Sequence, residues 1–234
     1  MLQILTDRDA GILSTLAHIR FMTTSQIHLV HGYDGTYGIK VTRRKLCDLE
    51  AKGWIRSWQP SKYDQKIYYL TKAGAREIEY RLGCDDIQTY RKNEKTLHQI
   101  FVSEVYARLK TAAIGTLCNF RLNKKVYQCI PDAYAVYLLN GESLPIEIFL
   151  EVDRETESMA YIKETKMEHY LRLYSEHYSE HRPIILFLTI TEHRKNGFDK
   201  LARSFNVPAV VHTLDEFICD PSIIFQGTRV QRIP

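Results

Sequence analysis

Asp132, Glu151 and Asp153 are acids set among residues that otherwise read as buried strands, in the stretch PDAYAVYLLNGESLPIEIFLEVDRETE (residues 131–157). An unpaired carboxylate in such surroundings costs several kcal/mol or takes up a proton. These acids therefore need a cation or a proton. In IEIFLEVD (146–153), alternation points Phe149, Glu151 and Asp153 to one face and Ile148, Leu150 and Val152 to the other. Asp132 heads the preceding run, which the Asn-Gly turn of NGES joins to this one as a hairpin, so it can lie beside them. A cation is available in the following helical segment, SMAYIKETKMEHYLRLYSEH (158–177). Projected at about 100° per residue, Met159, Ile162, Lys166, Tyr170 and Leu173 share one sector, with Lys166 near its middle. A lysine at the centre of a buried stripe can reach the acids and help neutralise them.

The segments around these residues follow a definite order. HQIFVSEVYARLKTAA (98–113) predicts a helix, with Ile100, Val105 and Leu109 on its buried side. Apolar, β-prone runs follow at FRLNKKVYQ (120–128), DAYAVYLL (132–139), IEIFLEVD and, after the lysine-bearing helix, PIILFLTIT (183–191). A further helix, RKNGFDKLARSF (194–205), and a short strand, PAVVHT (208–213), complete an αβββαβαβ order. A hairpin meander gives antiparallel neighbours and a strand-helix-strand crossover gives a parallel pair, so the expected fold is an α/β sandwich with a mixed sheet.

The front of the chain reads differently. TDRDAGILSTLAHIR (6–20) opens with Thr6 and Asp9 at capping-box spacing and carries Ile12, Leu13, Leu16 and Ile19 at helical intervals. A second capped segment, TTSQIHLV (23–30), precedes GIKVTRRKLCDLEAKG (38–53), whose Gly53 is a natural helix stop. On this third helix Ile39, Thr42, Leu46 and Leu49 gather on one side, Lys40, Arg44, Cys47 and Asp48 on the other, and Arg43 on the flank. WIRSWQ, the turn-rich PSKYDQ and KIYYL then spell a β-hairpin, and TKAGAREIEYRLG restarts a helix. The predicted boundary between two domains falls after residue 84, giving 1–84 and 85–234, with the polar GCDDIQTYRKNEKTL (83–97) as connector.

Composition narrows the classes. Charged residues at 26% and hydrophobic ones at 44% are ordinary for a folded chain, and no repeat interrupts them. The net charge of +4 is uneven: residues 1–97 hold 16 Lys+Arg against 11 Asp+Glu, and the rest 16 against 17. A basic front half suggests an anionic partner there. No run of about 18 apolar residues occurs, and no apolar leader precedes the first charges, so a cytoplasmic protein without a membrane partner is expected. Five scattered cysteines with no CxxC pair indicate neither a disulfide framework nor a thiolate zinc site. No phosphate-binding Gly loop, nucleophile elbow or dinucleotide fingerprint is present. His177 and His181 read as solvated residues at the polar end of their helix, His28 and His31 as cap or surface residues, and, among the 15 tyrosines, those in strands such as KIYYL and DAYAVY as packing residues.

Helix, helix, basic helix, hairpin, helix is the order of a winged helix-turn-helix. LEAKGWI (49–55) leading into YYLTKAGAREI (68–78) resembles the winged-helix regulators at the residues themselves, a recognition helix ending in Gly and a wing strand running into a Leu-Thr-x-x-Gly turn. The resemblance implies a third helix in the major groove of double-stranded DNA and a wing on the backbone. Lys40, Arg43 and Arg44 would then meet phosphates or guanine edges, with Lys62 and Lys66 extending the contact along the wing.

The back half resembles the PD-(D/E)xK nuclease superfamily in its αβββαβ order, its Pro-Asp at one strand head and its acid near the end of the next. A winged helix followed by PDAY, EVDRET and a helix with Lys166 and Tyr170 is similar, more closely, to the replication-relaxation family of plasmid and mobile-element proteins, which includes accessory proteins of conjugative mobilisation of the MobC type. The superfamily resemblance implies Asp132 and Glu151 as ligands of Mg²⁺, with Glu104 as a third, and a lysine assisting the attacking water. Position 153 is Asp where that motif has Lys. Either Lys166 stands in from the neighbouring helix, making Asp132, Glu151, Asp153 and Lys166 a catalytic set, or the acids and Lys166 form a buried ion-pair network kept for structure. The leading expectation is a non-catalytic DNA-binding accessory protein of plasmid or mobile-element replication or transfer. It would bind an origin, as a homodimer, need no cofactor for DNA binding, and assist a relaxase or replication initiator. A metal-dependent endonuclease and a transcriptional repressor are the alternatives.

Overall fold

The computed structural model describes residues 5–33, 35–177 and 183–226. The chain forms two compact units, Met1–Ala107 and Arg108–Pro234. The first begins with α1 (Asp7–Ile19), whose N-terminus carries the expected capping box: Thr6 Oγ1 accepts from the Asp9 amide and Asp9 Oδ2 from the Thr6 amide, each at 3.2 Å. Ile12, Leu13, Leu16 and Ile19 form its buried stripe. Asp9 is buried too, and its partner is Lys45, whose ammonium lies 2.9 Å away. Burial alone would raise the Asp9 pKa, but Lys45 and the Thr6 donors outweigh it and hold the carboxyl below its ordinary value.

β1 (Phe21–Thr23), α2 (Thr24–His31), α3 (Gly38–Ala51), β2 (Ile55–Trp58), β3 (Ile67–Leu70) and α4 (Lys72–Leu82) follow. β2 and β3 are the expected hairpin, and β1 adds a third antiparallel strand in the order β1-β3-β2. Three residues are too few for alternation to announce a strand. The Leu-Thr-x-x-Gly turn has a steric reason. Thr71 caps α4 by accepting from the Gly74 amide at 3.1 Å and donates to the Gly53 carbonyl at 2.6 Å. A Cβ on Gly74 would fall 2.1 Å from the Trp54 carbonyl oxygen, so no larger residue fits. His28 and His31, expected at caps or the surface, instead tie helices together, bonding Thr42 at 3.0 Å and Thr15 at 2.8 Å.

The division between units falls later than the residue 84 expected, because the connector and the start of α5 (Thr96–Thr111) bond back to the first unit. Ser103 donates to the Phe21 carbonyl at 2.6 Å, Gln26 Nε2 to the Ile100 carbonyl at 3.0 Å, and the Lys92 ammonium lies 5.1 Å from the Trp58 ring centroid.

The second unit is a mixed α/β fold. β4 (Gly115–Leu122), β5 (Ala133–Leu139), β6 (Ile146–Asp153), β7 (Ile184–Thr189) and β8 (Ala209–Thr213) lie in that order in one sheet. The first three are antiparallel neighbours and the last three parallel ones, as the order of runs implied. β4 starts five residues earlier than expected and ends at Leu122, where Asn123 turns to a positive φ of 48°. The helix after β6 is composite: α6 (Met159–Ile162), a π turn at Lys163–Met167, and α7 (Glu168–His177). α8 (Glu192–Ser204) and α9 (Leu214–Cys219) complete the named helices. Tyr134, Phe149, Tyr170, Phe187 and Phe198 form a continuous aromatic core, with ring centroids 4.8–6.1 Å apart from one to the next. Tyr134 and Tyr170 thus pack as expected. Among the described residues no helix is long and apolar enough to cross a membrane.

Candidate functional site

The strand period places Glu151 and Asp153 on the same face of β6, and the structure gives each its own partner. Glu151 is buried, its Oε1 accepting from the Tyr170 hydroxyl at 2.7 Å and its Oε2 from the Lys166 ammonium at 2.8 Å. Lys166 also lies 3.3 Å from Glu157 Oε2. Asp132, just ahead of β5, accepts from the Val152 amide at 2.8 Å through Oδ2 and so fastens the head of one strand to the end of the next. Sequence had brought Asp132, Glu151 and Lys166 together, and they do meet.

The electrostatics follow from burial and mutual charge. Burial, reinforced by the Asp132 charge, pushes Glu151 up to about 7, against the pull of Lys166 and Tyr170. Burial would lower Lys166, but the Glu151 and Asp132 carboxylates prevail and raise it. Burial and then Glu151 hold the Tyr170 hydroxyl well above its ordinary value and push the Cys129 thiol up to about 11. Tyr170 and Cys129 are therefore neutral hydrogen-bonding and packing groups here. A stability consequence follows for Glu151. Between its ordinary value of 4.5 and about 7 the native state holds a proton that the unfolded chain releases, so this group's contribution declines as pH rises through that window. Urea unfolding of Glu151→Gln across that range should lose this component of the slope; an unchanged slope would contradict the assignment.

Asp153 belongs to a different pair. Arg194, in the first turn of α8, reaches its two oxygens through Nε at 2.5 Å and Nη2 at 3.0 Å, and also donates to the Glu157 carbonyl. Thr191 bonds Glu155, so the loop carrying Glu157 is fastened to α8 at two points. Sequence reasoning missed Arg194. Its signal was an arginine in a helix's first turn, where the dipole disfavours a cation unless an acid answers it.

The expected Mg²⁺ ligands do not fit a cation cage as they stand. Both Glu151 oxygens and one of Asp132 already accept hydrogen bonds, whereas Mg²⁺ asks for near-octahedral oxygen ligation. Glu104 belongs to the first unit, where its Oε2 accepts from Gln26 Nε2 at 2.9 Å. Among the described residues no group of three or more His, Cys, Asp or Glu side chains converges in a way that could hold a metal ion. His181 lies outside the described residues.

The basic residues occupy the first unit. Lys40, Arg43 and Arg44 are exposed on α3, while Thr42, Leu46 and Leu49 on its other side are buried. Lys45, which follows Arg44 in sequence, turns away to Asp9. Lys62 is exposed in the β2–β3 loop, and Lys66 lies 3.9 Å from Glu50 on α3. Three large side chains stand among these cations: Tyr37 at 67% exposure, Val41 at 38% and Tyr63 at 86%. Lys40 lies 5.2 Å from the Tyr37 ring centroid and Lys62 4.9 Å from that of Tyr63. Sequence reasoning had not singled them out; for Val41 the sign was an apolar residue on the polar side of a helix.

A family model described as replication-relaxation matches residues 13–185. The chain belongs to the replication-relaxation family. No curated protein matches it. Two solved structures of the restriction endonuclease FokI, one bound to DNA and one described without it, align at TM-scores of 0.35 and 0.41 with 13% and 10% identity. The alignments cover 97% of this chain and 47% of theirs, so this member of the family spans about half the length of those chains. smu.1604c from Streptococcus mutans UA159 aligns at 0.25 with 15% identity, over 92% of this chain and 99% of its own. Scores this low carry no reading of fold or activity.

Proposed function

We propose that this replication-relaxation protein is a sequence-specific, double-stranded-DNA-binding accessory protein of plasmid or mobile-element replication or conjugative transfer. The observation that carries the reading is the exposed cationic face of α3, Lys40, Arg43 and Arg44, on the helix that a winged helix-turn-helix presents to the major groove. Lys62 on the wing extends that contact along the phosphates, and Lys66 does so where Glu50 leaves it free. Membership of the replication-relaxation family supports a role at an origin. The protein binds there as a homodimer on paired half-sites and helps a relaxase or replication initiator act on the DNA. DNA binding requires no cofactor. The second unit serves assembly rather than cleavage, a reading supported by the internal partners of Glu151, Asp132 and Asp153.

Footprinting on the origin and promoter DNA of the element that encodes the protein tests this. Protection of a sequence within the origin is the expected result. Protection confined to a promoter would replace the origin role by transcriptional repression.

A further inference from the structure

We infer that the Lys166 ammonium is itself the resident cation of the second unit's carboxylate cluster, standing where a divalent ion would have to bind and thereby excluding one. Three independent features of the structure converge on this. The first is position: Nζ lies 2.8 Å from Glu151 Oε2 and 3.3 Å from Glu157 Oε2, and the charge of Asp132 acts on it as well. A cation bridging Asp132 and Glu151 would have to sit beside this ammonium and be repelled by it. The second is the other half of that carboxylate, whose Oε1 is taken by the Tyr170 hydroxyl. A bidentate hold on a metal would have to share both oxygens with these donors, one of them a full positive charge.

The third is the backbone that delivers the lysine. A uniform α-helix would put Lys166 at the centre of the packed stripe, but the π turn at Lys163–Met167 inserts one residue into the repeat. Met167 takes the packed position between Ile162 and Tyr170, each at most 2% exposed, while the Lys166 side chain stays 25% exposed at the rim. From the rim its stem lies along the core and its head reaches the acids. π turns interrupt α-helical hydrogen bonding and are frequent at functional sites. Here the turn gives the packed position to Met167 and leaves the ammonium at the rim, against Glu151 and Glu157. Asp153, which stands where the nuclease motif has its lysine, is answered separately by Arg194 and leaves Lys166 to the other acids.

The test uses the full chain and Mn²⁺ as the probe, read by thermal unfolding and by the electron paramagnetic resonance signal of free Mn²⁺. Wild type should show no Mn²⁺ uptake that depends on Glu151. Lys166→Ala, which leaves the acids uncompensated, should melt earlier in chelator, recover several degrees on adding Mn²⁺ and take up about one ion per chain. Adding Glu151→Gln to that variant should abolish the uptake. Lys166→Gln, which keeps a hydrogen-bond donor and most of the stem but not the charge, is read in the same way should Lys166→Ala not fold. Mn²⁺ uptake by wild type that disappears in Glu151→Gln would overturn the inference, as would charge-removed variants indifferent to Mn²⁺. DNA affinity, carried by α3, is expected to stay unchanged throughout, so failure here leaves the DNA-binding reading standing.

Discussion

Arg194→Ala is expected to destabilise the second unit by about 3–5 kcal/mol, because it leaves the Asp153 carboxylate buried without its cation. Asp153 is 7% exposed and accepts both hydrogen bonds from this one guanidinium. Removing Arg194 also frees the Glu157 carbonyl and takes a cation from near the Phe198 ring. Urea unfolding should therefore show a lower midpoint with an unchanged slope. Removing both charges is different in kind. Asp153→Leu combined with Arg194→Met should recover most of the loss, since an apolar pair of similar volume is often as stable as the ion pair it replaces. A loss below about 1 kcal/mol in Arg194→Ala would place the pair among ordinary surface bridges and contradict this reading.

Lys40→Ala combined with Arg44→Ala should weaken DNA binding by about 5- to 150-fold for each residue lost, the effect of about 1–3 kcal/mol per direct contact. The salt dependence separates two roles. A residue that only neutralises a phosphate lowers the slope of log affinity against log salt by about one unit and weakens all sequences alike. One that reaches a guanine edge reduces the preference for the specific site over random DNA. Lys200→Ala on α8, exposed in the second unit, is the control and should change neither quantity. Affinity and slope both unaltered in the double variant would remove α3 from the interface.

What the sequence disclosed and what it hid divide along physical lines. The period of a strand is fixed at two, so IEIFLEVD sufficed to put Glu151 and Asp153 on one face. The packed and cationic sides of α3 were equally legible, because Thr42, Leu46 and Leu49 follow the regular helical repeat that the structure keeps. Lys166 was located on the right helix for a partly wrong reason. The projection assumed an unbroken α-helix, and the π turn gives the stripe's centre to Met167 and sends the lysine to the rim. Pairings between elements distant in sequence left weak traces. Arg194 with Asp153, Lys45 with Asp9 and Gln26 with Glu104 each depend on how elements pack, which local pattern does not encode. The end of β4 was missed because Val126 and Tyr127 are β-prone and continue the run in composition, whereas Asn123 and Tyr127 both adopt positive φ and bend the chain away.

The most direct test is incubation of the purified full chain with supercoiled plasmid carrying the element's origin, first in Mg²⁺ and then in Mn²⁺, beside Asp132→Ala and Lys166→Ala. Wild type should retard the plasmid on a gel and leave it covalently closed in both metals. Nicking by wild type that both variants lose would contradict it, and would make Asp132, Glu151 and Lys166 a working nuclease site.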